Sequence, residues 1–317
     1  MRLDDMPESG NVEDRRGDEG GGGFGGGYGG GIPIGGGGLG IGGMVVLGLI
    51  GWALGINPFY LIQGANILIG GGSGGGYEQQ QRPMPQQQQQ QQRRAGTPTD
   101  ETGRFVARVL GSTEVQWKDI FAKEGQTYRP PRLVMFNNVT NSACGTAQRA
   151  MGPFYCPNDR EVYLDTAFFR DLEVRFHGCT GKACDFSKAY VIAHEVGHHV
   201  QNLLGILPKV QQAQRTASSK AASNRLQVQV ELQADCLAGV WANHAQAQYK
   251  FLDPGDIDAA LQTASAIGDD RLQRQAQGTV VPESFTHGTS EQRKRWFSTG
   301  FSQGTIKACN TFAAANL

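Results

Sequence analysis

The sequence predicts an α+β fold, mostly helical with a small antiparallel sheet, lying after a single membrane-crossing helix. Three observations carry that prediction. Short apolar runs bounded by turn residues come first in the foldable part of the chain, stretches of helical apolar spacing follow them, and an uncharged apolar segment sits in a glycine-rich region upstream.

The elements read in order as follows. Phe105 to Phe121 has helical apolar spacing, and Arg132-Leu133-Val134-Met135-Phe136 reads as a strand. Pro153-Phe154-Tyr155-Cys156 and Glu161-Val162-Tyr163-Leu164 flank the turn residues Pro157-Asn158-Asp159-Arg160, which is a hairpin signal. Asp165 is placed to cap a short helix running through Leu172. A buried helix then runs from Ala189 through Ala193 and on to Val200, Leu203 and Leu204, with Ser187 after Asp185 as its expected N-cap. A second apolar helix covers Val228 to Trp241.

Composition divides the chain. Most of the 46 glycines lie before residue 80 and Gln86 to Gln92 is an unbroken glutamine run, so neither tract buries enough apolar surface to offset its ordering entropy. The expected organisation is a disordered glycine-rich head over 1–38, a transmembrane helix over 39–62, a Gly/Gln-rich linker over 63–98 and one folded domain over 99–317. No charged residue occurs between Glu19 and Glu78, and the apolar core of that span runs from Met44 to Ile56, with Trp52, Phe59 and Tyr60 suited to an interface. Its position past residue 40 argues for an anchor rather than a cleaved signal peptide. Equal numbers of acidic and basic residues, 29 of each, argue against nucleic acid as the main partner.

Charge does not orient the span, because Arg2, Arg15 and Arg16 precede it and Arg82, Arg93 and Arg94 follow it. Cysteines do. All six, Cys144, Cys156, Cys179, Cys184, Cys236 and Cys309, fall beyond the span, and an even number confined there suggests disulfides in an oxidising compartment, periplasmic or extracellular. Fifteen pairings are formally possible. Proximity in sequence suggests Cys144 with Cys156 and Cys179 with Cys184, leaving Cys236 with Cys309. A second zinc site from His177, Cys179 and Cys184 is the competing reading, weakened by the lack of another close cysteine pair.

His194-Glu195-Val196-Gly197-His198 carries the chemistry. A helix turns about 100° per residue, so imidazoles four apart share a face, and the glutamate between them can reach a water on a metal held by both. The metzincin arrangement is excluded, since its glycine and third histidine would stand where Gln201 and Leu204 do. Downstream, Glu231 and Asp235 lie four apart on one face of the second apolar helix, and buried carboxylates need a cation or several hydrogen bonds.

With these residues in view the chain resembles the gluzincin metallopeptidases, and more closely a family of bacterial, membrane-anchored neutral zinc metallopeptidases. The resemblance runs through Asn11-Val12-Glu13-Asp14-Arg15-Arg16-Gly17, Gly152-Pro153-Phe154-Tyr155-Cys156-Pro157, the His194 and Glu231 helices, and His287-Gly288-Thr289-Ser290-Glu291-Gln292-Arg293. It implies a zincin-like domain in which His194, His198 and Glu231 hold one Zn²⁺, Glu195 is the general base, and Asp235 orients a ligand histidine. It also implies an edge strand that binds extended peptide beside the motif helix. Some gluzincins place a late histidine against the oxyanion, which makes His287 a candidate for that role.

The remaining histidines read as structural. His199 is rotated off the ligand face and is expected to pack or hydrogen-bond, and His244 is expected to be solvated. The function expected is hydrolysis of peptide bonds in a peptide or protein substrate by a single-pass membrane protein whose catalytic domain faces outward. Two rivals stand beside it: an inactive zinc-stabilised envelope module, against which an intact Glu195 argues, and an amidase acting on cell-wall peptides with the same machinery.

Overall fold

The computed structural model describes residues 1–17, 98–174, 179, 181, 184–314 and 316–317. The expected membrane span at 39–62 lies outside them, as do nearly all of the linker and His177. Among the described residues no helix is long and apolar enough to cross a membrane.

Strands supply one small layer. β1 (Val12–Asp14), β2 (Arg132–Phe136), β5 (Phe154–Cys156) and β6 (Glu161–Asp165) form a four-stranded sheet in the order β1-β2-β6-β5, and β3 (Val139–Ser142) pairs with β4 (Gly145–Gln148) in a separate hairpin. The expected hairpin is there, with Phe154 opposite Tyr163 and Cys156 opposite Glu161. The sheet as a whole is mixed rather than antiparallel, because β2 runs parallel to both β1 and β6. Parallel neighbours join strands far apart in sequence, so a local turn signal does not reveal them.

β1 also corrects the picture of the head. A disordered stretch was expected over 1–38, yet residues 1–17 are ordered and share one compact unit with the domain. Glycine richness begins only after Glu19, while Met6, Ser9, Val12 and Glu13 are all buried. Composition averaged over a long window concealed them.

Helices supply the other layer: α1 (Glu101–Lys123), α2 (Ala167–Val174), α3 (Cys184–Leu203), α4 (Ile206–Arg215), α5 (Lys220–Tyr249), α6 (Asp256–Ala266), α7 (Asp269–Gln277) and α8 (Ser290–Gln303). Their starts follow capping chemistry. Asp100 accepts from the Gly103 amide at 2.6 Å to open α1, and Thr289 with Gln292 forms a capping box on α8. Asp165 accepts from the Ala167 amide at 2.9 Å, as expected for α2. Ser187 is not an N-cap: α3 already begins at Cys184, and Ser187 is buried in its first turn.

An aromatic cluster ties the helices together. Phe186 of α3 packs against Phe251 at 5.8 Å and against Phe297 of α8 at 6.3 Å between ring centroids, and Trp241 of α5 lies 5.7 Å from Phe251. All four are fully buried, and each contributes roughly 1.5–3 kcal/mol by leaving water. Trp241 also donates to the Ser112 hydroxyl at 3.1 Å, which keeps its indole N–H satisfied and fixes α1 against α5.

Three disulfides join Cys144 to Cys156, Cys179 to Cys184 and Cys236 to Cys309, the pairing that sequence proximity suggested. They fasten the β3–β4 turn to β5, close the entry into α3, and bind α5 to the last 3-10 turn, Ile306–Cys309. No zinc site built on Cys179 and Cys184 is compatible with that pairing.

His199 holds the sheet side of α3. Its Nε2–H donates to the Arg129 carbonyl at 2.6 Å, so Nδ1 accepts from the Tyr155 hydroxyl at 3.1 Å. Burial lowers its pKa from 6.5 to about 4. As pH falls, the unfolded chain therefore takes up this proton first, and stability drops between about pH 6.5 and 4 by about 3 kcal/mol. Urea midpoints measured across that window should decline for the wild type and decline distinctly less for His199→Gln. Parallel profiles would contradict the assignment.

Candidate active site

Two helices build the site by approaching each other unusually closely. A Cβ on Gly197 of α3 would lie 2.9 Å from the Ala234 carbonyl oxygen and 3.1 Å from its Cα on α5, so only glycine permits the contact. That approach turns His194 and His198 toward Glu231. The Glu231 Oε2 lies 3.2 Å from His194 Nε2 and 3.5 Å from His198 Nε2, and the three potential ligand atoms lie within 4.8 Å of one another.

Each donor is held from behind. Asp235, one turn beyond Glu231, accepts from His194 Nδ1–H at 2.8 Å, which leaves Nε2 as the ring nitrogen that faces Glu231. His198 Nδ1 is bonded to Gln201 Oε1 at 2.8 Å, and Gln201 in turn donates to the Val230 carbonyl and to Gln233. Gln227 donates to Glu231 Oε1 at 2.8 Å, leaving Oε2 for the shared space. Two imidazole nitrogens and one carboxylate oxygen, each with its remote atom occupied, are a donor set that suits Zn²⁺ with an open fourth position.

The electrostatics are those of mutually dependent groups. Burial opposes the His194 imidazolium, but Asp235 and Glu231 outweigh it and push the pKa up to about 10. His198 is raised too, through Glu231 against the same burial, while Glu231 itself is held well below the usual carboxylate range because the imidazoles overcome its desolvation. Glu195 differs. It is buried, and its carboxyl is raised because the two histidines only partly offset the loss of water. A glutamate so poised can both take and return a proton.

Behind the donors lies a network that sequence reasoning did not assign. Arg293 of α8 reaches Asp235 through Nε–H at 2.8 Å and Nη2–H at 2.9 Å, and Tyr190 of α3 donates its hydroxyl to the same carboxylate at 2.5 Å. All three are buried. Tyr190 precedes His194 by four residues, so helical spacing could have drawn attention to it. Arg293 could not be found that way, since 58 residues separate it from Asp235.

His287 stands at the rim, with 49% of its side-chain surface exposed. Its Nδ1 lies 3.2 Å from Asp269 Oδ1, and Asp269 Oδ2 accepts from the backbone amides of Thr286, His287 and Gly288. Its partial burial works against the charged form, but Asp269 and Glu231 raise its pKa. His244 was expected in solvent and is instead half-buried, with Nε2–H donating to the Gly304 carbonyl at 2.8 Å past the end of α8. A free C-terminal carbonyl is a ready acceptor for a side chain on the neighbouring helix.

The family described as "Putative neutral zinc metallopeptidase" matches residues 1–312. A protein of Escherichia coli K12 named "Uncharacterized protein YpfJ" is 46% identical over 313 residues, covering 98% of this chain and 99% of its own. Mycobacterial relatives named "Uncharacterized protein Mb2605", from Mycobacterium bovis, and "Uncharacterized protein Rv2575", from Mycobacterium tuberculosis, are 40% identical over 230 residues, covering 68% of this chain and 74% of theirs. No solved structure matches the chain.

Two outcomes test the geometry. Replacing Arg293 by Met leaves Asp235 buried without its cation, so the variant should unfold with roughly 3–5 kcal/mol less stability by denaturant titration; a loss under about 1 kcal/mol would mean that the pair is not holding the site. Protons and metal compete for the His194 and His198 lone pairs, and both groups have raised pKa values, so apparent zinc affinity should fall steadily as pH is lowered from about 8 to 6. A pH-independent affinity in a competitive chelator titration would rule these atoms out as ligands.

Proposed function

We propose that this chain, which belongs to the family described as "Putative neutral zinc metallopeptidase", hydrolyses peptide bonds at a Zn²⁺ held by His194, His198 and Glu231. The observation that carries the reading is the convergence of two Nε2 atoms and one Oε2 on a common space, with Asp235 fixing the tautomer behind His194. When bound, zinc supplies a Lewis acid for the peptide carbonyl and lowers the pKa of water toward neutrality.

The protein's own groups do the rest. Glu195, on the helix turn between the two histidines, takes the proton from the attacking water and passes it to the departing amine, a cycle that its raised carboxyl pKa suits. His287, oriented by Asp269, donates to the oxyanion that develops on the carbonyl. The substrate backbone is held in extended form along β5, the edge strand of the sheet, which runs antiparallel to β6 and packs beside α3. Backbone pairing of that kind accepts many side chains, as a peptidase of broad substrate range requires. Three disulfides support an oxidising compartment outside the cytoplasm.

Two variants separate these roles. Glu195→Gln keeps the shape and should retain one zinc per chain while losing nearly all hydrolysis of a peptide library; undiminished turnover removes Glu195 from the mechanism. His287→Ala should lower kcat by roughly a hundred- to a thousandfold, the cost of one oxyanion donor, with zinc content unchanged. Normal turnover would make His287 a bystander, and lost zinc would make it a ligand.

A further inference from the structure

The head is part of the folded unit, and that constrains how the chain meets a membrane. β1 pairs with β2 in parallel register, Val12 with Leu133, Glu13 with Val134 and Asp14 with Met135. On either side of that strand the contacts continue. The Arg2 amide donates to the Phe251 carbonyl at 2.8 Å, the Ser9 amide to Ala107 at 2.9 Å and the Arg15 amide to Met135 at 2.8 Å. Ser9 and Asn11 side chains both donate to Glu114 on α1, and Glu13 pairs with Arg132 at 2.8 Å. A Cβ on Gly111 of α1 would lie 2.2 Å from the Pro7 carbonyl oxygen, so the helix is shaped to receive the head backbone. Met6, Val12 and Glu13 are almost wholly buried in the process.

The two ends of the intervening chain also leave from one place. Arg16 forms an ion pair with Asp100 at 2.8 Å, so the departure near Gly17 and the return near Pro98 are pinned together. A bilayer crossed once by residues 39–62 would put the head and the folded unit on opposite faces, some 30 Å of hydrocarbon apart. Every contact above would be broken. The sequence offers an alternative, because Asn57-Pro58 interrupts the apolar run and leaves Met44 to Ile56 and Phe59 to Ile69 as arms of 13 and 11 residues, each shorter than the roughly 20 that a crossing helix needs.

We propose that the head and the folded unit lie on the same side of the membrane, so that residues 18–97 leave and rejoin a single face and cross the bilayer an even number of times or not at all. The single-pass arrangement expected from hydropathy alone is incompatible with β1. The proposal does not depend on the peptidase reading, since it uses only the docking of residues 1–17.

Paired cysteine labelling tests it on the full chain. All six native cysteines are in disulfides, so one added thiol reports cleanly. Asp5 on the head and Lys118 on α1 are both exposed. Asp5→Cys and Lys118→Cys should react alike with a membrane-impermeant maleimide applied to spheroplasts, before and after lysis. Both reacting before lysis is the expected result, given the disulfides. Both protected until lysis would still support the shared side while overturning the extracytoplasmic location. Full release of the protein from the membranes would mean that no crossing exists, again with head and unit together. Labelling of one position before lysis and the other only after it would overturn the proposal.

Discussion

The close crossing of α3 and α5 is the constraint on which the site depends. With Gly197 against Ala234, the helices approach until their backbones touch, and residues within a turn of the contact on each are brought face to face: His194 and His198 on one side, Glu231 and Asp235 on the other. A methyl group at Gly197 would push the helices apart, and donor distances that now lie between 2.8 and 3.5 Å would open with them. The glycine within the motif is therefore a packing residue for the partner helix. The histidines meet the carboxylates only because that residue lets the second helix near.

Charge binds the rest of the helical layer to this crossing. Asp235 is fully buried yet ionised, because Arg293, Tyr190 and His194 between them occupy both of its oxygens. α8 thereby becomes a third wall of the site, though it contributes no ligand atom. The next residue along α5, Cys236, is cross-linked to Cys309 in the 3-10 turn beyond α8, so an ion pair to α8 and a covalent tie to the turn that follows it leave α5 from neighbouring positions. A buried ion pair is stabilising only when geometry and hydrogen bonding are nearly complete. The disulfide beside it limits the motions that would leave them incomplete.

Much of the site could be read in the sequence because helical spacing is local. His194 and His198 share a face, as do Glu231 and Asp235, and one atom from each of His194, His198 and Glu231 meets the others in a group that could hold a metal ion. The β5–β6 hairpin was equally legible from its turn residues. Hidden features depend on distant partners. Arg293 finds Asp235 through the packing of α8 on α5, Asp269 orients His287 across a loop, and His199 meets the Arg129 carbonyl 70 residues away. No periodicity within one segment encodes any of these.

β1 is the extreme case, because its partner lies more than a hundred residues downstream and the chain between them is rich in glycine and glutamine. Composition suggests that such a head should be left free, whereas the structure makes it the outer strand of the sheet. The arrangement is physically reasonable. Closing a long connection costs free energy only as the logarithm of its length, while a short strand that buries Val12 and pairs Glu13 with Arg132 gains backbone hydrogen bonds, apolar burial and an ion pair together. The sheet that carries β5 is thus completed at its far edge by the first residues of the chain.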